Sequence, residues 1–229
     1  MQTKPKKTVL VMGLISSLFV VAGAHAEGVA VNASVGSTGL GLHASLPLKT
    51  NINLRLGVNY MKLSTVMKDP DGDTNVDVTL NTFDALLDWF PQESTFRVTG
   101  GLVYNGNKID TVTKLQGATF NGTTFNIIGG GSLGQVDGNI KGSNVINPYI
   151  GIGWGNAVTQ PAGWGFTSDI GLLFHGTPQA TLINTGCTAG PFICGQVASK
   201  VKEEEDKLNA KLSNMIAFPV VRIGASYKF

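Results

Sequence analysis

The sequence has few charged residues, few histidines and few cysteines. Asp, Glu, Lys and Arg make up 14% of its 229 residues, and it holds three His and two Cys. Its 17 basic residues outnumber its 15 acidic ones only because Lys4, Lys6 and Lys7 lie near the N-terminus. Without these three lysines, no basic surface is left to attract nucleic acid. Beyond residue 26 the chain also lacks an apolar run of the roughly 20 residues that a membrane-spanning helix requires.

The N-terminal segment has the three parts of a secretory signal peptide. A basic region at 4–7 is followed by an apolar stretch at 8–23 and by Ala-His-Ala at 24–26, a small-x-small cleavage site. The apolar stretch is short for a transmembrane helix, so an uncleaved anchor is the weaker alternative. We therefore expect residues 1–26 to be a cleaved signal peptide and residues 27–229 to form one domain.

The two cysteines, Cys187 and Cys194, are close together in a chain that carries an export signal. An oxidising compartment makes a disulfide their expected state. Metal binding is the alternative, but no His or acidic residue lies nearby to complete a set of ligands. The sequence therefore predicts a disulfide.

Three motifs that carry chemistry in other proteins are incomplete here. The glycine-rich segments 129–134 and 151–155 lack the Lys-Ser/Thr of a phosphate loop. The alternating carboxylates at 69–73 could bind Ca²⁺, but no bidentate Glu follows and Asp-Gly is common in turns. His43 and Ser45 share one face of a strand, as a base and a nucleophile would, without an acidic partner on that strand. We therefore expect the protein to have no catalytic residue, no metal and no cofactor, and not to be an enzyme.

Alternating apolar and polar residues recur along the chain in segments of about ten residues, as in half-buried strands. Eight segments show this pattern: 29–35, 39–48, 53–61, 78–89, 95–105, 149–156, 163–175 and 221–229. In lipid, all backbone polar groups must be paired, which allows a closed barrel but no open sheet. The even number of alternating segments predicts an all-β fold, an eight-stranded antiparallel transmembrane β-barrel.

The connections between these segments alternate in length. Short turns are predicted near residue 49, at 91–94 and at 159–162, and long loops at 64–75, 108–145 and 177–215. Short turns are typical of the periplasmic end and long loops of the outer end. Residues 199–213 are rich in helix formers, which predicts a short helix in the last extracellular loop, either over the barrel mouth or fully solvated.

Charged and polar residues occupy the inward positions of the predicted strands. They are Arg55, Asp84, Asp88, Arg97, Asp169 and Arg222, with the polar His43 and His175. The interior of an eight-stranded barrel is just wide enough for side chains to fill it, and a buried charge must be paired. A salt-bridged plug is one interpretation, and a selectivity lining for small charged solutes is the other. Inward glycines such as Gly151 and Gly171 are expected to leave some room for water.

The chain closes with Tyr227 and Phe229 on the outward face of the last strand. They resemble the C-terminal signal that the barrel-assembly machinery reads, and they fit an aromatic girdle at the periplasmic edge.

Several segments together resemble a known family. Residues 87–91, 96–108, 148–155 and 219–229 are similar to a proteobacterial family of small outer-membrane proteins, itself distantly similar to CarO-type ornithine-uptake and carbapenem-associated channel proteins. The resemblance implies the outer membrane of a Gram-negative bacterium, with lipid, lipopolysaccharide and the barrel-assembly machinery as partners. It also implies porin-like passage of small, basic solutes. A closed structural or surface-interaction barrel that acts through its extracellular loops is the alternative.

Overall fold

The computed structural model describes residues 28–69, 72–115, 119–120, 122–125, 131–159 and 161–229. In chain order the strands are β1 (Ala30–Gly36), β2 (Gly39–Lys49), β3 (Ile52–Asp69), β4 (Gly72–Trp89), β5 (Phe96–Asn105), β6 (Lys108–Leu115), β7 (Thr119–Phe120), β8 (Thr123–Thr124), β9 (Gln135–Lys141), β10 (Ile146–Trp154), β11 (Gly163–Leu173), β12 (Gln179–Thr185) and β13 (Phe218–Lys228). Within these described ranges one α-helix, α1, spans Pro191–Leu212. The predicted signal peptide lies outside the described residues.

Eight strands close into an antiparallel ring in the order β1–β2–β3–β4–β5–β10–β11–β13, with β13 pairing back onto β1. The closing pair runs in register from Ala30 opposite Lys228 to Gly36 opposite Arg222. A closed ring has no free strand edge, so its backbone groups are paired within the wall. The predicted eight-stranded barrel is thereby confirmed.

Large apolar side chains cover the outside of this ring. Those that are at least 40% exposed include Leu40, Leu42, Tyr60, Phe83, Leu87, Trp89, Leu102, Ile150, Ile152, Trp154, Trp164, Phe166, Ile170, Val221 and Ile223. The alternate positions of the same strands point inward and are largely polar, which inverts the arrangement of a water-soluble protein. Such a belt is suited to contact with lipid hydrocarbon.

Short connections join the strands at one end of the ring. They are the turn at 50–51, a 3-10 turn at Pro91–Glu93 and the connection between β10 and β11. We call this the periplasmic end, following the usual orientation of such barrels, and the opposite end the outer end.

The outer end carries more regular structure than the sequence predicted. β3 and β4 are each 18 residues long and pair along their whole length. The first half of β4 pairs with β6, and its second half with β5. β9 then pairs with β6, and β12 with β9. The three segments predicted as long loops therefore contain strands, which extend one side of the barrel wall beyond the ring. We call this extension, together with α1, the outer tier.

Helix α1 begins at Pro191 rather than at residue 199, so it is longer than the predicted short helix. Its Val197 and Val201 are buried against Leu115, Leu133 and Val136 of the outer tier, in a small apolar core. Cys187 and Cys194 form the predicted disulfide, which links the segment before α1 to its first turn. Among the described residues, no helix is both long enough and apolar enough to cross a membrane.

Side chains of α1 bind the backbone of β12 on the edge that faces away from β9. The amide of Asn209 accepts a hydrogen bond from Ala180 N–H (2.8 Å) and donates one to Ala180 C=O (3.0 Å). The carboxylate of Glu205 accepts one from Leu182 N–H (2.7 Å). Exposed strand edges pair readily with other chains, and α1 covers this one.

Candidate functional site: a closed lumen

Four charged side chains from four strands meet inside the ring. Arg55 on β3 lies between Asp88 on β4 and Asp169 on β11, with Nε 2.9 Å from Asp88 Oδ2 and Nη1 2.8 Å from Asp169 Oδ2. Arg97 on β5 places Nη2 2.7 Å from Asp169 Oδ1 and Nε 3.7 Å from Asp88 Oδ1. Each of the four residues is at most 5% exposed. We call them the lower charged cluster; its two cations and two anions cancel.

Further hydrogen bonds hold the lower charged cluster in place. Arg97 donates to the carbonyl oxygens of Trp154 (3.2 Å), Ser168 (3.2 Å) and Gly155. Thr99 donates from Oγ1 to Asp88 at 2.6 Å. Buried charges are tolerated only when they are paired and their remaining polar atoms are bonded. These contacts fix Arg97 and Asp88 in one geometry, while Nε of Arg55 and Nε of Arg97 face their carboxylates without a hydrogen bond.

A second group lies nearer the outer end and is centred on Asp84. Its Oδ2 receives hydrogen bonds from Arg222 Nη2 (2.9 Å) and Asn59 Nδ2 (3.0 Å), and lies 3.2 Å from His43 Nε2. Arg222 also donates from Nε to Thr38 Oγ1 at 3.0 Å. We call this the upper charged cluster. Asp84 gives His43 an acidic partner from another strand, although β2 itself carries none.

Next to the upper charged cluster, an apolar layer that the sequence did not predict fills part of the barrel interior. It consists of Leu86, Val103, Tyr149, Leu173 and Val220, each at most 3% exposed. The Tyr149 ring also lies beneath the guanidinium of Arg222, with the Cζ atom 5.9 Å from the ring centroid. Leu86 stands between Asp84 and Asp88 at an inward position, and Leu173 interrupts the inward face of β11 in the same way; these interruptions are the signal that could have revealed the layer.

Contrary to the expectation from the sequence, Gly57, Gly153 and Gly171 leave no room for water. A Cβ atom on Gly57 would lie 2.0 Å from Cδ2 of His43, and one on Gly171 would lie 2.4 Å from the Tyr149 hydroxyl oxygen. At Gly153 a Cβ would come within 3.0 Å of both Asp169 Oδ1 and Arg97 Cζ. The space left by each missing side chain is therefore taken by a large neighbour from the next strand.

Little space is left beside the lower charged cluster. The cavity bounded there by Asn32, Asn53 and Phe90 on its periplasmic side has a volume of about 10 Å³. That is room for about one water molecule. A hydrated ion or an amino acid is larger than this cavity.

Three of the residues singled out from the sequence lie away from both clusters. β11 ends at Leu173, so His175 falls in the connection that follows and is partly exposed. Tyr227 and Phe229 lie at the periplasmic end, where Tyr227 contacts Trp164 and Phe229 edge-on, with ring centroids 5.2 Å apart in each pair. Their role in assembly stays a prediction.

Charged contacts within the outer tier stabilise the packing of α1 on the edge of β12. Lys202 lies 2.6 Å from Glu205, and this contact, together with the hydrogen bond from Leu182 N–H, lowers the pKa of the Glu205 carboxyl. Lys200 and Lys207 flank Glu203 and lower the pKa of its carboxyl to about 2. The charges of α1 are thus largely paired with one another on the exposed face of the helix.

The class of the protein follows from these features. A closed antiparallel ring, an apolar belt around it and a polar, charge-paired interior define a transmembrane β-barrel of the bacterial outer-membrane type.

Two solved structures share this fold. The crystal structure of Acinetobacter baumannii CarO2 superimposes with a TM-score of 0.56 at 22% identity, covering 88% of this chain and 98% of that one. The crystal structure of Acinetobacter baumannii CarO gives 0.55 at 20% identity, with 89% and 98% covered. No protein-family model and no curated protein sequence matches the chain. The resemblance to CarO-type proteins is confirmed at the level of the fold.

Proposed function

We propose that this protein is a closed outer-membrane barrel that anchors the outer tier at the cell surface and acts through it. The observation that carries the proposal is the filled lumen: two charged clusters and an apolar layer occupy the interior, and the cavity beside the lower charged cluster has a volume of about 10 Å³. A ring filled in this way serves as a rigid foundation rather than as a permanently open pore.

The construction of the outer tier supports the second half of the proposal. It has its own apolar core, a disulfide and a helix that covers the edge of β12. Solvated loops without a role do not require such features, since a loop is stable with its backbone bonded to water. Surfaces held rigidly on a scaffold are, by contrast, the usual place for recognition.

Planar-bilayer recording tests the closed lumen. We expect the purified protein to insert without conductance steps in potassium chloride. A variant that lacks one ion pair of the lower charged cluster, Arg55→Ala with Asp169→Ala, should conduct, which shows that insertion and recording work. Steady conductance of the unmodified protein would refute the closed barrel.

Passage of small solutes is the second candidate, and the resemblance to CarO-type channel proteins together with the arginine- and aspartate-lined interior favours it. It requires the lower charged cluster to rearrange. Uptake of small basic solutes by cells should then change when Arg97 or Asp88 is replaced by Ala. Unchanged uptake in both variants, together with absent conductance, would eliminate this candidate.

The surface role is tested separately by deleting residues 185–213. We expect the barrel to insert as before while the cellular phenotype of a full knockout appears. The matched control is the Asp88→Ala variant, which alters the lumen and leaves the outer tier intact. A deletion without phenotype would refute the surface role.

A further inference from the structure

The apolar belt is interrupted by a depression where two alanines lie side by side. Ala225 on β13 is directly opposite Ala33 on β1, and both point outward and are exposed. Across the sheet the same row continues with Phe166 on one side and Leu42 on the other. Large side chains therefore border a site where two methyl groups stand in register.

The depression is a groove of about 140 Å³ with walls of defined geometry. Trp164 and Tyr227 form one wall, and Val31 and Leu42 also line it; the groove also touches Asn32 and His43, which belong to the inward face of the same strands. The two aromatic rings contact edge to face at 65°, with centroids 5.2 Å apart, so each restricts the other. The groove is thus built by packed side chains on four adjoining strands.

The surroundings of the groove determine what can occupy it. Because it opens outward from the barrel wall into the lipid-facing belt, its contents are hydrocarbon rather than water. An apolar cavity lined in this way stays dry and accepts an apolar ligand, since an unfilled space forfeits dispersion contacts along its walls. The hydrocarbon that the apolar belt of such a barrel meets is the acyl chains of membrane lipids.

The position of the groove along the membrane normal determines which leaflet it contacts. Trp164 is the second residue of β11, and Tyr227 is the second-last residue of β13, so both stand at the periplasmic end. Aromatic girdles mark the membrane–water boundary of such barrels. The groove therefore lies in the periplasmic leaflet, which holds phospholipid, and not in the outer leaflet, which holds lipopolysaccharide.

We propose that this groove binds one acyl chain of a periplasmic-leaflet phospholipid and retains that lipid more firmly than the rest of the belt does. The proposal concerns the barrel wall and does not depend on the closed lumen or on the function of the outer tier. Ala33 and Ala225 lie on the outer face, so a larger side chain at either position fills the groove from the lipid side.

Native mass spectrometry of the full barrel with palmitoyl-oleoyl phosphatidylethanolamine tests the proposal. We expect one retained lipid per barrel, reduced at least about fivefold in the Ala225→Phe variant. Ala85→Phe is the matched control, because Ala85 is also outward-facing but lies on β4 between Leu56 and Leu102, away from the groove. Ala33→Leu provides a second, smaller filling substitution, and heat-dependent gel mobility verifies that each variant is folded.

Fluorescence locates the bound lipid. In a variant with Trp164 as its sole tryptophan, a small amount of phosphatidylethanolamine with brominated chains should quench emission more than in the matched variant that keeps only Trp89. Three results would overturn the proposal: no retained lipid in the unmodified protein, equal retention in Ala225→Phe, or stronger retention of lipid A than of the phospholipid.

Discussion

Replacing Asp169 by Asn should destabilise the barrel strongly, although the two side chains have nearly the same shape. Asp169 accepts hydrogen bonds from Arg55 at 2.8 and 3.1 Å and from Arg97 at 2.7 Å. The substitution leaves two buried guanidinium groups with Asp88 as their one remaining counter-charge in the lower charged cluster. Breaking a buried ion pair on one side costs about 3–5 kcal/mol, because the remaining charge stays desolvated.

Reversible urea unfolding from lipid vesicles measures this loss as a lower free energy of unfolding. A second substitution provides the internal check. Arg97→Met in the Asp169→Asn background restores neutrality, so the double variant should recover part of the loss, with a coupling energy of about 2 kcal/mol. The recovery is expected to be incomplete, because Arg97 also donates to three carbonyl oxygens.

The matched control is a carboxylate that also pairs with two cations but lies outside the membrane. Glu203 pairs with Lys200 and Lys207 on the exposed face of α1, and Glu203→Gln should leave the unfolding transition unchanged, since solvent screens exposed pairs. A loss below about 1 kcal/mol for Asp169→Asn, or strictly additive losses in the double variant, would refute the view that the lower charged cluster is a desolvated, mutually dependent unit.

Two further results are expected. Gly57→Ala should lower the free energy of unfolding by about 1–3 kcal/mol because its Cβ would collide with the His43 ring; Gly100→Ala, where the nearest atom is 4.0 Å away, should change it little, and equal losses would contradict the packing argument. Because its pKa is lowered in the folded state, the Glu205 carboxylate stabilises the cover on β12 fully above its ordinary pKa, and the contribution is lost as the pH falls through the lowered value. At neutral pH, Glu205→Gln should accelerate hydrogen exchange at the Leu182 amide about fivefold, equivalent to about 1 kcal/mol; an unchanged rate would show that the hydrogen bond does not hold the edge.

The ring itself was predictable from the sequence because side-chain alternation is a local property of a strand. Arg55, Asp84 and Asp169 could be assigned to the inner face from their immediate neighbours alone. Their partners could not be assigned in this way. Asp169 and Arg222 are direct neighbours across β11 and β13, yet Arg222 bonds to Asp84 from the other side of the lumen. Such pairings depend on how far the strands are staggered around the ring, which no single strand encodes.

The outer tier was missed for a different physical reason. A strand inside the bilayer has one apolar face towards lipid, and this face produces the alternating pattern in the sequence. Strands beyond the bilayer need no such face. β6 reads Lys-Ile-Asp-Thr-Val-Thr-Lys-Leu, a sequence with β-branched residues but weak contrast between its two faces. The start of α1 was also hidden, because residues 191–198 contain few strong helix formers. Pro191 at the first helical position was the available signal.

The length of β4 sets how far the protein reaches from the membrane. Eighteen residues at about 3.4 Å each give a strand of roughly 60 Å. With a tilt of about 40°, it rises some 45 Å along the membrane normal, against an apolar band about 25 Å tall. Roughly 20 Å of the strand therefore stands clear of the hydrocarbon on an unbroken hydrogen-bonded ladder. The barrel therefore holds the outer tier at a fixed height above the membrane, within the saccharide layer of the cell surface.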